Sequence, residues 1–288
     1  MKKILKNRKF WLVALAIMGV LLLSGCRTAI DKNGALVEDA IIYDHTSFSD
    51  MLETDGWFET FIVYPIAQLI NYSGKYIGPV GGIVLATALI NLLTITLTKN
   101  STVAQQKMQA LQPEMRALQN KYAGKNDQNS KMQMNREMMA LYQKHGISNP
   151  LGSMAGPFLQ MPIMIAVYYA VQRADVVLSA ELFGTPMMTS PMKAIAEGQF
   201  MFMAILAIAI GLQFLSMMLP QLLAKKNQRR RPGQPKTPNM MGMNIGMSAM
   251  FAFIGINWPV SMSLYWLISA TMNILKTIFI RRRHIDNV

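Results

Sequence analysis

The chain has 288 residues, of which 52% are hydrophobic and 15% charged, with a formal net charge of +13. That is too apolar for an ordinary soluble domain, and one lone cysteine excludes a disulfide framework and a cysteine-based metal site. The positive charge is segregated along the chain, so it is not read as a nucleic-acid footprint before topology is assigned.

Lys2, Lys3, Lys6, Arg8 and Lys9 form a basic start, and 10–23 is an apolar run. Leu23-Ser24-Gly25-Cys26 follows. A positive n-region, a short apolar stretch and small residues before a cleavage point make a secretory signal. Ending in cysteine, it resembles a bacterial lipoprotein signal. That implies cleavage after residue 25 and a covalent lipid on Cys26. Residues 26–56 are polar and acidic and read as a flexible exported leader. Residues 57–79 are aromatic-rich and broken by Glu59, Gln68 and Asn71. They fit an amphipathic helix in the outer membrane interface, the depth that Trp and Tyr favour.

Crossing the hydrocarbon core takes about 20 apolar residues. Residues 80–98, 158–177, 200–219, 240–258 and 261–280 meet that measure, and none carries a charge in its middle. Pro259 sits in the tight turn that makes the last two an antiparallel hairpin. Lys and Arg crowd into 99–153, 220–239 and 281–288, whereas 27–79 hold only Arg27, Lys32 and Lys75. The positive-inside rule therefore puts the leader outside and the basic segments inside. An odd number of spans after an external N-terminus gives the same answer.

The first inner segment is patterned. Ala104, Met108, Leu111, Met115, Leu118 and Tyr122 recur at steps of four and three, and Met134, Met138 and Leu141 continue the seam after a polar turn. This predicts a helical hairpin over 99–153. Pro113 predicts a kink or restart in its first arm. Met132 and Met139 are left for client handling, since flexible thioethers adapt to varied apolar segments.

Asn149-Pro150-Leu151, Pro157, Gln160-Met161-Pro162-Ile163 and Tyr168-Tyr169 resemble the YidC/Oxa/Alb membrane insertase family. Leu111-Gln112-Pro113-Glu114-Met115 resembles that family's cytoplasmic hairpin, and Leu264-Tyr265-Trp266 with Asn273 its last span. The resemblance covers roughly 57–283, and the lipoprotein signal is similar to the Gram-positive branch. It implies an all-α membrane protein, with five transmembrane helices around a hydrophilic groove, a cytoplasmic hairpin and an outer interfacial helix. It also implies insertion of membrane proteins into the cytoplasmic membrane, alone or with the Sec translocon, and no catalytic residue, metal or cofactor beyond the lipid. Implied partners are nascent membrane proteins, with the Sec translocon, the ribosome and anionic lipids as candidates, and no small-molecule substrate.

Polar residues within spans face a cavity or a partner. Thr87 and Asn91 lie four apart, and Thr94 and Thr98 extend their face. Gln160, Gln213 and Ser248 add polar groups from later spans, and the resemblance adds Trp266 to this set. A lone Ser or Thr more often bonds back to its own helix. The resemblance also marks a departure: where the family's first span carries an arginine, this chain has Asn91, and where it tends to have a proline, Thr96. Rival classes lack their chemistry. The spans hold no central charge for ion coupling, and His45, His145 and His284 all lie outside them, which leaves an intramembrane protease without a base. A non-inserting chaperone or assembly scaffold of the same fold is the alternative.

Overall fold

The computed structural model describes residues 28–29, 36–125, 127–147, 155–227 and 241–284, which are mostly helical. The lipoprotein signal with Cys26, the Asn149-Pro150-Leu151 string and 228–240 lie outside them. The described residues fall into two units. One holds those up to Ala86 together with Gln160–Thr189; the other holds Thr87–Leu159 and those from Ser190 onward. Among the described residues, Glu59–Lys121, Met201–Leu223 and Val260–Arg283 are long and apolar enough to cross a membrane, and Met241–Asn257 is a shorter apolar helix.

In the first unit the described part of the leader, 36–56, carries helical turns and long-range bonds. Ser47 caps helix α1 (Phe48–Thr54) with a reciprocal bond to Asp50. A π-helical stretch, Glu59–Val63, leads into α2 (Tyr64–Lys121). Asn71 ties 36–63 to the far end of the unit: its Nδ2 donates to the Ile42 carbonyl at 2.6 Å and its Oδ1 accepts from Val176 N–H at 3.2 Å. Gln68 Nε2 donates to the Tyr43 carbonyl at 2.8 Å. The acidic composition reads as disorder because its partners lie a hundred residues away.

Gly78 divides α2. Its φ of 78° and ψ of 163° suit glycine alone, and Pro79 restarts the helix with a preset φ. The two arms cross closely at small residues. A Cβ on Gly82 would lie 2.7 Å from the Ile70 carbonyl oxygen and 3.1 Å from Gly74 Cα. Backbone cannot step aside as a side chain can. Gly82→Ala is therefore expected to cost about 1–3 kcal/mol, the range for overpacking. A lowered midpoint in detergent thermal unfolding checks this.

Beyond Gly78, α2 stays helical through Pro113 to Lys121, so span and first hairpin arm are one element. The predicted restart does not occur. Proline's fixed φ is itself helical, and the packed seam holds the chain on both sides. Helix α3 (Gln128–Lys144), capped by Asp127, returns antiparallel. Leu111, Tyr142 and Ile147 form the hairpin core, with Met108, Met115 and Met138 packed on it. Met132 and Met139 stay exposed.

The second predicted span ends four residues earlier than expected. Helix α4 (Ala155–Arg173) ends before Ala174, which bridges to Ile42, and α5 (Asp175–Leu178) is a single separate turn. Strands β1 (Glu181–Leu182) and β2 (Thr185–Pro186) make a hairpin turned by Phe183 and Gly184, both at positive φ.

In the second unit, α6 (Pro191–Ala196) precedes α7 (Met201–Asn227), which runs through Pro220 well past the predicted end. Helices α8 (Met241–Asn257) and α9 (Val260–His284) follow. Gly255 lets three of them meet: a Cβ there would lie 2.5 Å from Leu206 Cδ1 and 2.7 Å from Trp266 Cζ3. Trp266 packs edge-on to Phe251 with ring centroids 5.5 Å apart.

Candidate functional site: a buried polar stripe

From Thr87 to Gln106, α2 buries one polar residue per turn or so: Thr87, Asn91, Thr94, Thr98, Ser101 and Gln106. Steps of three and four keep Thr87 to Ser101 on one face, and the step of five turns Gln106 to its side. That face meets α9. Asn91 Nδ2 donates to the Thr87 carbonyl at 2.8 Å and to Ser269 Oγ at 3.3 Å. Fifteen residues on, Gln106 Nε2 donates to the Thr277 carbonyl at 3.4 Å. Both contacts advance in the same chain direction, so the two helices run parallel here.

The sequence-derived site residues divide in three. Thr87, Asn91 and Thr94 lie together on this stripe. Thr94 and Thr98 donate their hydroxyls to the carbonyls of Ile90 (2.6 Å) and Thr94 (2.7 Å), the local bond expected of helical threonine, and keep acceptor capacity only. Ser248, Trp266 and Gln213 lie in the same unit. Gln213 is half-buried. Gln160 is half-buried in the other unit. Ser101, Gln106 and Ser269, which complete the stripe, were not singled out by sequence. Continuing the four-three step from Thr98 past the end of the predicted span reaches Ser101 and comes within a residue of Gln106.

Several buried polar atoms in this unit lack a protein partner among the described residues: Gln106 Oε1, Gln109 Oε1, Asn244 Nδ2, Ser248 Oγ, Ser263 Oγ and Trp266 Nε1. Asn244 and Ser248 share a face of α8, and Asn244 Oδ1 accepts from Gln221 Nε2 at 3.5 Å. A buried polar atom without a protein bond calls for water or a visiting group. Four of these, from Asn244 to Trp266, lie on α8 and α9, where hydrogen-bonding capacity is held open. The stripe carries no formal charge. Among the described residues there is no cluster of three or more His, Cys, Asp or Glu able to hold a metal.

The hairpin is pinned at its tip. Lys121 Nζ donates to both Glu137 carboxylate oxygens at 2.8 Å, and Tyr122 O–H donates to Oε1 at 2.7 Å. The Lys121 ammonium, then the Tyr122 hydroxyl, hold the Glu137 carboxyl below its usual range. A depressed carboxyl contributes stability above its unfolded pKa and loses it as pH falls through the folded value. Hairpin pairing is therefore expected to loosen on acidification and Glu137→Gln to abolish that response. Amide exchange around Tyr122 at neutral and acid pH reads this out.

Residues 72–287 match the 60Kd inner membrane protein family. The chain is 31% identical over 278 residues to membrane protein insertase MisCA of Bacillus subtilis, covering 93% of this chain and 89% of that protein. It is 30% identical over 275 residues to membrane protein insertase YidC 1 of Halalkalibacterium halodurans, covering 95% and 91%. It is 31% identical over 228 residues to membrane protein insertase YidC 1 of Streptococcus pyogenes, covering 79% and 74%. With a family match over three quarters of its length and relatives aligned almost end to end, the chain belongs to the 60Kd inner membrane protein family, the YidC/Oxa/Alb insertases.

Proposed function

We infer that the chain inserts membrane proteins into the cytoplasmic membrane, and that the buried polar stripe is where the polar flank of a client is accommodated. The observation that carries this is the row from Thr87 to Gln106 facing α9, with unpartnered polar atoms in the same unit. A client segment entering lipid must move polar groups through a layer where each unsatisfied one costs several kcal/mol. Hydrogen-bonding side chains and water lower that barrier without nucleotide or cofactor.

The topology that suits this role has five spans, a lipid-anchored N-terminus outside and the basic segments inside. The parallel run of α2 and α9 supports it, since the first and fifth spans of such a chain cross in the same direction. The seam-packed hairpin, with Met132 and Met139 free, suits a client-receiving surface on the inner side. Sec, the ribosome and anionic lipid fit the basic loops as partners. The groove here is neutral where the family's first span carries an arginine, so its attraction for clients rests on hydrogen bonding rather than charge.

Purified protein in liposomes, given a single-span client, tests the reading. Protease-protected client is expected with the protein and not with empty liposomes. Client that binds but stays protease-accessible would identify a scaffold.

A further inference from the structure

A cation taken out of water needs partners, and the buried Arg173 has three. Its guanidinium grips Asp55 with two bonds, Nη1 to Oδ1 at 3.0 Å and Nη2 to Oδ2 at 3.1 Å. Nη1 lies 3.7 Å from Glu59 Oε1, and Nε donates to the Ala40 carbonyl at 2.6 Å. Lys276 is the contrasting case. It is half-buried on α9, inside the predicted span 261–280, and makes no hydrogen bond or ion pair among the described residues. The surrounding sequence offers no acid, since 198–285 contain neither Asp nor Glu. The described acids elsewhere in this unit are engaged or distant. Glu137 is held by Lys121, Glu114 lies 3.5 Å from His145, and Asp127 caps α3. Glu197 precedes α7, at the outer end.

Position decides what kind of anion fits. Ser269, Lys276 and Arg283 follow at steps of seven, so they share one face of α9 with a drift of about 20° per step. Ser269 is buried and accepts from Asn91 Nδ2, Lys276 is half-buried, and Arg283 is exposed. The face thus runs from the bundle interior out to the inner surface. Helical side chains lean toward the N-terminus, so Arg283 leans back over the turn that follows Lys276. A lysine four residues inside the end of a span extends the other way, toward water. One small anion can therefore meet both. Phe279 lies between them on the same side of the helix, and it and Leu275 are 58% and 57% exposed. Cations beside exposed apolar surface suit a ligand with an anionic head and a hydrocarbon tail. A client's carboxylate is in transit, whereas an unanswered cation at this depth is costly at all times. The counterion must be resident, and the bilayer supplies one.

We propose that Lys276 and Arg283 form a site for the phosphate of an anionic glycerophospholipid of the inner leaflet, whose acyl chain lies along Leu275 and Phe279. The bound phosphate neutralises Lys276 and leaves the stripe to act through hydrogen bonds alone. The inner placement rests on the topology given under Proposed function; the phosphate chemistry does not.

The test uses the full chain in phosphatidylcholine nanodiscs, which leave both leaflets accessible. Spin-labelled phosphatidylglycerol and spin-labelled phosphatidylcholine are compared by the fraction immobilised on the protein. The parent is expected to prefer phosphatidylglycerol. Lys276→Met takes a charge out of the membrane, so folding is not at risk. It is expected to lower the preference by about fivefold, the worth of one basic residue near the surface. Arg283→Gln is expected to do the same, Lys276→Arg to keep the preference, and Arg282→Gln, off this face, to change it less. Equal loss in Arg282→Gln and Lys276→Met would mean general surface charge and overturn the site. Displacement of the labelled lipid by millimolar inorganic phosphate would overturn the lipid as ligand. An unchanged preference in Lys276→Met, with poorer insertion of acidic clients, would assign Lys276 to the client and overturn the proposal. Sidedness is read separately. Arg283→Cys in right-side-out vesicles is expected to react with an impermeant maleimide only after permeabilisation. Reaction in intact vesicles would overturn the inner placement and the topology with it, and leave the phosphate chemistry standing.

Discussion

Arg173→Met is expected to release residues 36–63 from the end of α4. The substitution removes one cation from between two carboxylates that are about 1% exposed, so both are left buried and uncompensated. Breaking a buried ion pair in this way costs about 3–5 kcal/mol, which multiplies the opening equilibrium of the segment by roughly a hundredfold to several thousandfold. The Ala40 carbonyl loses its donor at the same time. Limited proteolysis in detergent is expected to cut within 36–63 in the variant and not in the parent, with no comparable change at the hairpin. A control separates charge from shape. Arg173→Met combined with Asp55→Leu and Glu59→Met leaves no orphan charge, and such apolar replacements are often neutral or stabilising. Recovery of protection in the triple variant would show that the penalty was electrostatic.

Asn91→Arg is the second large effect. Placing a guanidinium at the bilayer centre costs about 2.5–3.5 kcal/mol on insertion scales, and Asn91 is buried against Ser269. The variant is expected to be less stable in thermal unfolding, yet to insert clients with acidic exported tails in preference to matched neutral ones. The parent, whose stripe is uncharged, is expected to treat the two tails more evenly. Matched clients differing only in tail charge give the ratio directly.

The helical part of this architecture is legible in sequence because its cause is local. A run of apolar residues must bury or enter lipid, so α7, α8 and α9 fall where hydropathy puts them, within a few residues at most ends. The hairpin seam is legible for the same reason. Met108, Leu111 and Met115 must share a face, and that face needs a partner. Pro113 marks no restart of the helix, because a lost hydrogen bond does not announce what the packed seam compensates.

The leader is not legible because its cause is distant. Asp55 and Glu59 look like solvated acids until Arg173, more than a hundred residues on, comes to lie between them. Arg173 in turn looks like a polar residue near the end of a span. The helix stops there because Ala174 pairs with Ile42, a contact that no periodicity announces. The stripe is half legible. Thr87, Asn91, Thr94 and Thr98 follow from spacing within one predicted span. Gln106 lies beyond that span's expected end, and only the unbroken helix shows that it too reaches α9.

The central claim is that hydrogen-bonding capacity in this stripe lowers the barrier for a client's polar flank. Asn91→Leu with Gln106→Leu, reconstituted beside the parent, tests it most directly. Interhelical hydrogen bonds in membranes average about 0.6 kcal/mol, so folding should change little, and unchanged thermal unfolding verifies that. Insertion of a single-span client is expected to fall by about tenfold or more, the equivalent of about 1.4 kcal/mol or more on the barrier. A folded double variant that inserts as well as the parent would contradict the account.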